Sequence, residues 1–176
     1  MPGLVIIHPV MMTDARGSFT KTFVAETYMH AGLATTFAEE YHTRSTRGVL
    51  RGMHFQRPPF HHDKVVFCTS GSAVDVILDL RRGSPWFGRA LEFHLEAATG
   101  FGLYIPAGCA HGFCSVSDDT TMTYRVTAAY SPEHDAGILW SSIAADWPFA
   151  EPIISERDSS FPRFEDFDSP FTYPEV

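Results

Sequence analysis

An all-β fold, an antiparallel sandwich or barrel with a few short helices, is what this sequence predicts. Apolar residues recur at period two through much of the chain, turn signals divide the runs at short intervals, and helix-period stretches are scarce. At 176 residues the chain suits one domain, 1–176, long enough to bury a sizeable core.

Taken in order, the first strand candidates are LVII (4–7) and SFTKTF (18–23). VAETYMHAG (24–32) reads as a helix stopped by Gly32. KVVFCT (64–69) follows. In AVDVILDL (73–80), Val74, Val76, Leu78 and Leu80 share one face, and Asp75 and Asp79 point to the other. RALEFHLEA (89–97) sets Leu91, Phe93 and Leu95 against Glu92, His94 and Glu96. FGLYI (101–105) and HGFCSV (111–116) are shorter. TTMTYRVTAAY (120–130) puts Met122, Tyr124, Val126, Ala128 and Tyr130 on one inward face. GILW (137–140) is the last strand candidate, and ISERD (154–158) is a short turn with Ser155 as its cap. SGS (70–72), RGSP (82–85) and PAG (106–108) separate these runs. The tail, FPRFEDFDSPFTYPEV, alternates aromatics with prolines and reads as an extended arm across the body, or one ordered only in an oligomer.

A net charge of −8 disfavours a nucleic-acid surface, because neutralising phosphates needs clustered Lys and Arg. No apolar stretch approaches the roughly 20 residues that span a bilayer, so no membrane partner is expected. The start, MPGLVIIHPV, lacks the basic region and cleavage pattern of a signal peptide. Cys68, Cys109 and Cys114 are odd in number and form no CxxC pair, which argues against a disulfide framework or zinc site. A soluble cytoplasmic protein is the expectation.

RGMHFQRPPFHHDK (51–64) gathers three histidines, two arginines and a lysine. His54, His61 and His62 are open to three readings: metal ligands, a catalytic base, or solvated loop residues. Downstream, Gly100, Pro106, Gly108, His111 and Ser115 are spaced like the second motif of the cupins, with Ser in the final Asn position. Cupins are double-stranded β-helices, or jelly rolls, so the resemblance implies that architecture. Metal-binding cupins carry two His and a Glu in their first motif, the Glu seven residues before a turn glycine. Counting back from Gly71 gives Lys64, whose ammonium has no lone pair to offer a metal. The two His positions fall on Pro58 and Phe60, or on Arg57 and Pro59. No metal is expected, which also argues against a metal-dependent oxygenase. His61 and His62, after PPF, read as solvated loop histidines.

An ordered set of segments then resembles the dTDP-4-dehydrorhamnose 3,5-epimerase family of metal-free cupins. The set comprises RGSF (16–19), GVLRGMHFQ (48–56), PP followed by KVV (58–66) and DVILDLRRGSPWFG (75–88). It continues with YIPAGCAHGF (104–113), TYRVTAAYSPE (123–133), GILW, DWP (146–148) and ISERD. The resemblance implies inversion at C3 and C5 of a nucleotide-linked 4-keto-6-deoxy sugar. Such chemistry needs a base, a stabiliser for the enolate oxygen and an acid on the opposite face. It assigns His54 as base, Asp158 as the carboxylate that orients it, Lys64 as the cation facing the enolate oxygen and Tyr124 as the acid. On chemistry alone, Asp166 and Asp168 would serve equally as the carboxylate. Arg51, Gln56 and His111 match residues that bind the diphosphate and sugar. Arg16 and Phe19 resemble a segment that completes the nucleotide site, with a partner subunit as the receiver, and Tyr130 is placed to stack on the base.

The match departs from the family at Lys21, Glu39, Tyr41, His62 and Trp86, several of them near the expected site, and the reacting groups are retained while the binding lining varies. The resemblance therefore implies a homodimeric epimerase that needs no cofactor and acts on a nucleotide-diphospho-4-keto-6-deoxyhexose. Two alternatives stay open: inversion at one carbon on a different nucleotide sugar, and a cupin that binds a nucleotide sugar without turning it over.

Overall fold

The period-two runs do form strands. The computed structural model of the protein describes residues 1–174. In chain order the strands are β1 (Val5–Ile7), β2 (Met11–Asp14), β3 (Gly17–Thr20), β4 (Glu39–Ser45), β5 (Leu50–Gln56) and β6 (Lys64–Ser70). They continue as β7 (Ser72–Asp79), β8 (Ala90–Glu96), β9 (Gly102–Ile105), β10 (Cys109–Ser115), β11 (Thr120–Val126) and β12 (Asp135–Gly137). Two short helices, α1 (Ala25–His30) and α2 (Glu156–Ser159), join them.

One antiparallel sheet has the order β1-β9-β6-β11-β4 and the other β12-β5-β10-β7-β8, while β2 and β3 pair only with each other. Both large sheets contribute to the central cluster, including Val66, Leu103 and Met122 from the first and Ile77, Leu95 and Phe113 from the second. The outer face of the first sheet, at Val65, Phe67 and Tyr104, is covered by Tyr28 of α1 with Phe23, Leu33 and Phe37. The outer face of the second, at Val74, Val76, Leu78 and Leu80, is covered by Phe164, Phe167 and Phe171. The C-terminal arm thus lies on its own chain: Ser169 and Phe171 are buried, and Arg82 bridges to Thr172. Its last two residues, 175 and 176, lie outside the described region.

Several expectations are corrected. Asp75 and Asp79 were expected on the face of β7 opposite Val74, Val76, Leu78 and Leu80. Because β7 is covered on both sides, Asp75 and Asp79 are fully buried and take buried partners. β4 and β5 were not expected as strands. β4 is an edge strand whose sequence, EEYHTRS, faces solvent on one side and a cavity on the other, so it lacks an apolar face. In β5 the register against β10 slips between His111 and Phe113. Gly52 sits in this irregular stretch with φ +137°, and a Cβ there would stand 2.5 Å from Gly112 Cα. Only glycine fits this approach. The strand expected over 18–23 ends at Thr20, and the one over 137–140 is replaced by β12 and a 3-10 turn at Trp140–Ser142. The helix expected over 24–32 is α1, after which Gly32 has φ +71°.

Candidate active site

Where the central cluster ends, a cavity of about 420 Å³ opens between the sheets, with Phe113 and Tyr124 belonging to both. The first sheet contributes Glu39, Tyr41 and Thr43 from β4, Lys64 from β6 and Tyr124 and Val126 from β11. The second contributes Arg51, His54, His111 and Phe113. Alternation explains this lining: on β4 and β11 every second residue faces inward, and Tyr41 and Tyr124 are register partners. His54 and His111 are register partners on β5 and β10.

His54 Nε2 stands 2.9 Å from Asp158 Oδ1, off the line of an aligned hydrogen bond. Asp158 is held by α2. Ser155 caps that helix by accepting from Asp158 N at 3.1 Å, as expected from ISERD. The second carboxylate oxygen accepts from Gly52 N at 3.0 Å, which ties α2 to β5. Burial would raise the Asp158 pKa, but the His54 ring, the Gly52 N–H and Arg157 outweigh it and hold the carboxyl below its usual range. Burial pulls His54 below its ordinary 6.5, against Asp158 and with Lys64 and Arg157 adding to the pull. His54 is therefore mostly neutral at pH 7, the state a base requires. Asp158 is the carboxylate at His54. Asp168 pairs instead with Arg82.

Lys64 is buried and donates from Nζ to the His54 carbonyl at 3.1 Å. Burial pushes its pKa down to about 8, against the carboxylates of Asp135 and Asp75. Tyr124 is 6% exposed, and burial, with Asp75 and Tyr41, raises its phenol well above 10. Its proton is kept at neutral pH. A second His–Asp pair lies deeper, His111 Nε2 to Asp75 Oδ2 at 2.8 Å, with Asp75 Oδ1 left without a hydrogen-bond partner. The carboxylate in the apolar run of β7 was the available sequence signal for it.

At the cavity mouth stand Arg157 and Asp135, which sequence reasoning left unassigned, with residues it had singled out. Arg157 pairs with Asp135 and stands 3.7 Å from Asp158, and both line the cavity. Glu39 accepts from Tyr130 N at 2.9 Å. Tyr130 is 60% exposed at the rim, its hydroxyl donating to Asp135 at 3.3 Å. Arg51 reaches the cavity while donating to Ser45 Oγ at 3.1 Å. Gln56 also lines it, yet its amide braces the loops: it donates to Phe60 and Ala129 carbonyls and accepts from Ser131 N at 2.6 Å. His61 and His62 are half-buried, which corrects the solvated reading. The 57–63 loop folds back over Gln56, bringing His62 Nδ1 within 3.1 Å of Gln56 Nε2, and burial lowers its pKa to about 4. The His61 ring tilts against Phe171. Arg16 and Phe19 are not brought to this cavity. They lie on the exposed β2–β3 hairpin, where Arg16 pairs with Asp14. Among the described residues, no three His, Cys, Asp or Glu side chains are gathered to hold a metal.

A sequence profile of the dTDP-4-dehydrorhamnose 3,5-epimerase family matches residues 1–166. The dTDP-4-dehydrorhamnose 3,5-epimerase of Shigella flexneri is 38% identical over 171 residues, covering 96% of this chain and 94% of that protein. Among solved structures, one is the dTDP-6-deoxy-D-glucose-3,5-epimerase of Legionella pneumophila in complex with dTDP-4-keto-L-rhamnose. It superposes with a TM-score of 0.92 at 32% identity, over 98% of this chain and 94% of that one. A 3'-monoepimerase from Streptomyces bikiniensis in complex with dTDP-quinovose superposes with a TM-score of 0.86 at 32% identity, over 92% and 83%.

Proposed function

This chain belongs to the dTDP-4-dehydrorhamnose 3,5-epimerase family, and on that premise we propose that His54, Lys64, Tyr124 and Asp158 epimerise a dTDP-4-keto-6-deoxyhexose. The observation that carries the reading is their convergence: a base beside a carboxylate, a buried cation and a buried phenol share one cavity. A nucleotide-sugar binder has no need of all these groups.

With Nε2 turned to Asp158, His54 Nδ1 takes the proton on the carbon next to the ketone. The bonding pair moves into the enolate, and Lys64 stabilises the oxygen where that charge develops. Tyr124 then delivers its proton to the opposite face from the facing sheet. Solvent reprotonates the phenolate and takes the proton from the imidazolium. Asp158 holds the ring and stabilises the imidazolium while it exists. Arg51, His111 and the Arg157–Asp135 pair bind the diphosphate and sugar, Tyr130 stacks on the base, and Gln56 braces the loop beneath them.

The assembly we propose is a homodimer formed through the β2–β3 hairpin. Val10, Met12 and Phe19 are exposed there, the hairpin joins neither large sheet, and Arg16 and Phe19 would then complete the partner's nucleotide site. The reading takes 1–176 as one domain, supported by the packing of both α1 and the C-terminal arm on the same pair of sheets. It places the enzyme in the cytoplasm, which suits three cysteines that are all free thiols.

The test is incubation with dTDP-4-keto-6-deoxyglucose in deuterated water, followed by NMR. Deuterium at both C3 and C5 is the expected result. Label at one carbon would identify a single-centre epimerase, a reading favoured by the Glu39 and Tyr41 lining and by the similarity to a 3'-monoepimerase. Absence of exchange with every nucleotide form would overturn the enzymatic assignment.

A further inference from the structure

Tyr41 has no part in the reacting set, yet it makes the closest ring contact with the acid. It is the cross-strand register partner of Tyr124, and the two rings stack with centroids 4.8 Å apart and planes 16° from parallel. On its other side Tyr124 meets the edge of His111, centroids 6.0 Å apart at 65°. Tyr124 is 6% exposed and Tyr41 is 42% exposed, so Tyr41 forms the cavity side of the stack and Tyr124 its buried side. Among the described residues no hydrogen bond engages the Tyr41 hydroxyl, so its contact with Tyr124 is through the ring.

A tyrosine on a strand has two common χ1 rotamers and a ring free to turn about χ2. Either motion moves the phenolic oxygen relative to a bound sugar. Inversion tolerates little of this, because a displacement on the order of 1 Å can cost roughly 10²-fold in rate. We infer that Tyr41 is a positioning residue for Tyr124: its ring face fixes the plane of the acid, so that the enolate is protonated on the side opposite His54 and inversion outruns return of a proton to the original side. This inference rests on the epimerase reading proposed above.

The two fates of the enolate provide the test. After His54 has taken the proton and exchanged it with solvent, the imidazolium returns a deuteron to the same face, giving label without inversion. Alternatively Tyr124 delivers a deuteron to the other face, giving label with inversion. Both start from the same bound enolate, so their ratio does not depend on the folded fraction or on substrate affinity. In deuterated water, Tyr41→Ala is expected to raise label without inversion relative to inversion by roughly tenfold or more. Tyr41→Phe keeps the ring and is expected to hold the wild-type ratio. Tyr41→Leu, which fills the position without an aromatic face, should match Tyr41→Ala and serves if alanine unfolds the edge strand. A wild-type ratio in both Tyr41→Ala and Tyr41→Leu would overturn the positioning role and leave the epimerase reading intact. A raised ratio in Tyr41→Phe would assign the effect to the hydroxyl and overturn the stacking argument. Failure of the wild-type protein to exchange any nucleotide-linked 4-keto sugar would remove the epimerase reading, and this inference with it.

Discussion

Lys64, the proposed stabiliser of the enolate oxygen, concentrates the burial cost of this site in one side chain. Its folded pKa of about 8 lies below its ordinary 10.5. Between those values the unfolded chain holds a proton that the folded chain has lost, so stability rises with pH through that window. Below pH 8 both states are charged and the folded state bears the full burial penalty. Lys64→Met should therefore raise stability at pH 7 by on the order of 3 kcal/mol, read from the denaturant midpoint, while abolishing exchange. A less stable variant would show that the cation is not strained by burial. The same shift sets the rate profile. kcat/KM should fall on the acid side below pH 6.5, where His54 protonates, and on the alkaline side near pH 8, where Lys64 loses its charge. Lys64→Arg should move the alkaline limb well upward, and a limb that stays near pH 8 would assign it to another group. The burial of Lys64 inside the cavity fits the sequence reading, which placed it where metal-binding cupins have a carboxylate. Asp135 sits in no such frame, and its proximity to the site depends on loop path.

Among the elements, α2 shows how little structure holds the carboxylate proposed to orient the base. It has four residues, too few to persist alone, and its contacts hold it: the Ser155 cap, the Asp158 hydrogen bond to Gly52 N and the Arg157–Asp135 ion pair among them. Ser155→Ala should cost about 1 kcal/mol of stability, with a fall in kcat at nearly constant KM because His54 loses its fixed carboxylate. A shifted denaturant midpoint with unchanged kcat would mean that α2 holds Asp158 without its cap. Asp158→Asn keeps the shape of the contact but removes its charge, and kcat should fall by roughly 10²-fold or more. The cap was legible in ISERD, and β11 in its alternation. β4 and β5 were not, because a strand that lines a cavity carries polar and aromatic side chains where a core strand carries aliphatic ones. In β7 the burial of the aspartates was not legible either: buried partners on β10 and at Arg81 allow a carboxylate inside.

Period two pointed to an antiparallel sandwich or barrel, the cupin spacing to a double-sheet jelly roll, and the family resemblance to the proposed reacting set. What covers each sheet was not legible, since neither the α1 segment nor the aromatic arm has a pattern that names its target face. The proposed dimer is testable at this scale. Met12→Asp puts a charge on the exposed β2–β3 hairpin, away from the cavity. Sedimentation velocity should show twice the chain mass for the wild type and the chain mass for the variant. KM for the nucleotide sugar should rise as Arg16 and Phe19 leave the partner's site. A variant that dissociates with unchanged KM would confine the nucleotide site to a single subunit.

The bond between Gly52 and Asp158 joins positions 106 apart in sequence. Every strand of both large sheets ends by Gly137, so a chain emerging from the ribosome holds His54, Lys64 and Tyr124 well before it holds the carboxylate proposed to align the base. On the proposed assignment, competence for proton abstraction is therefore acquired late in synthesis. A message cut short before Ser155 lacks Asp158 and Arg157 together, and with them the aromatic arm that covers the second sheet.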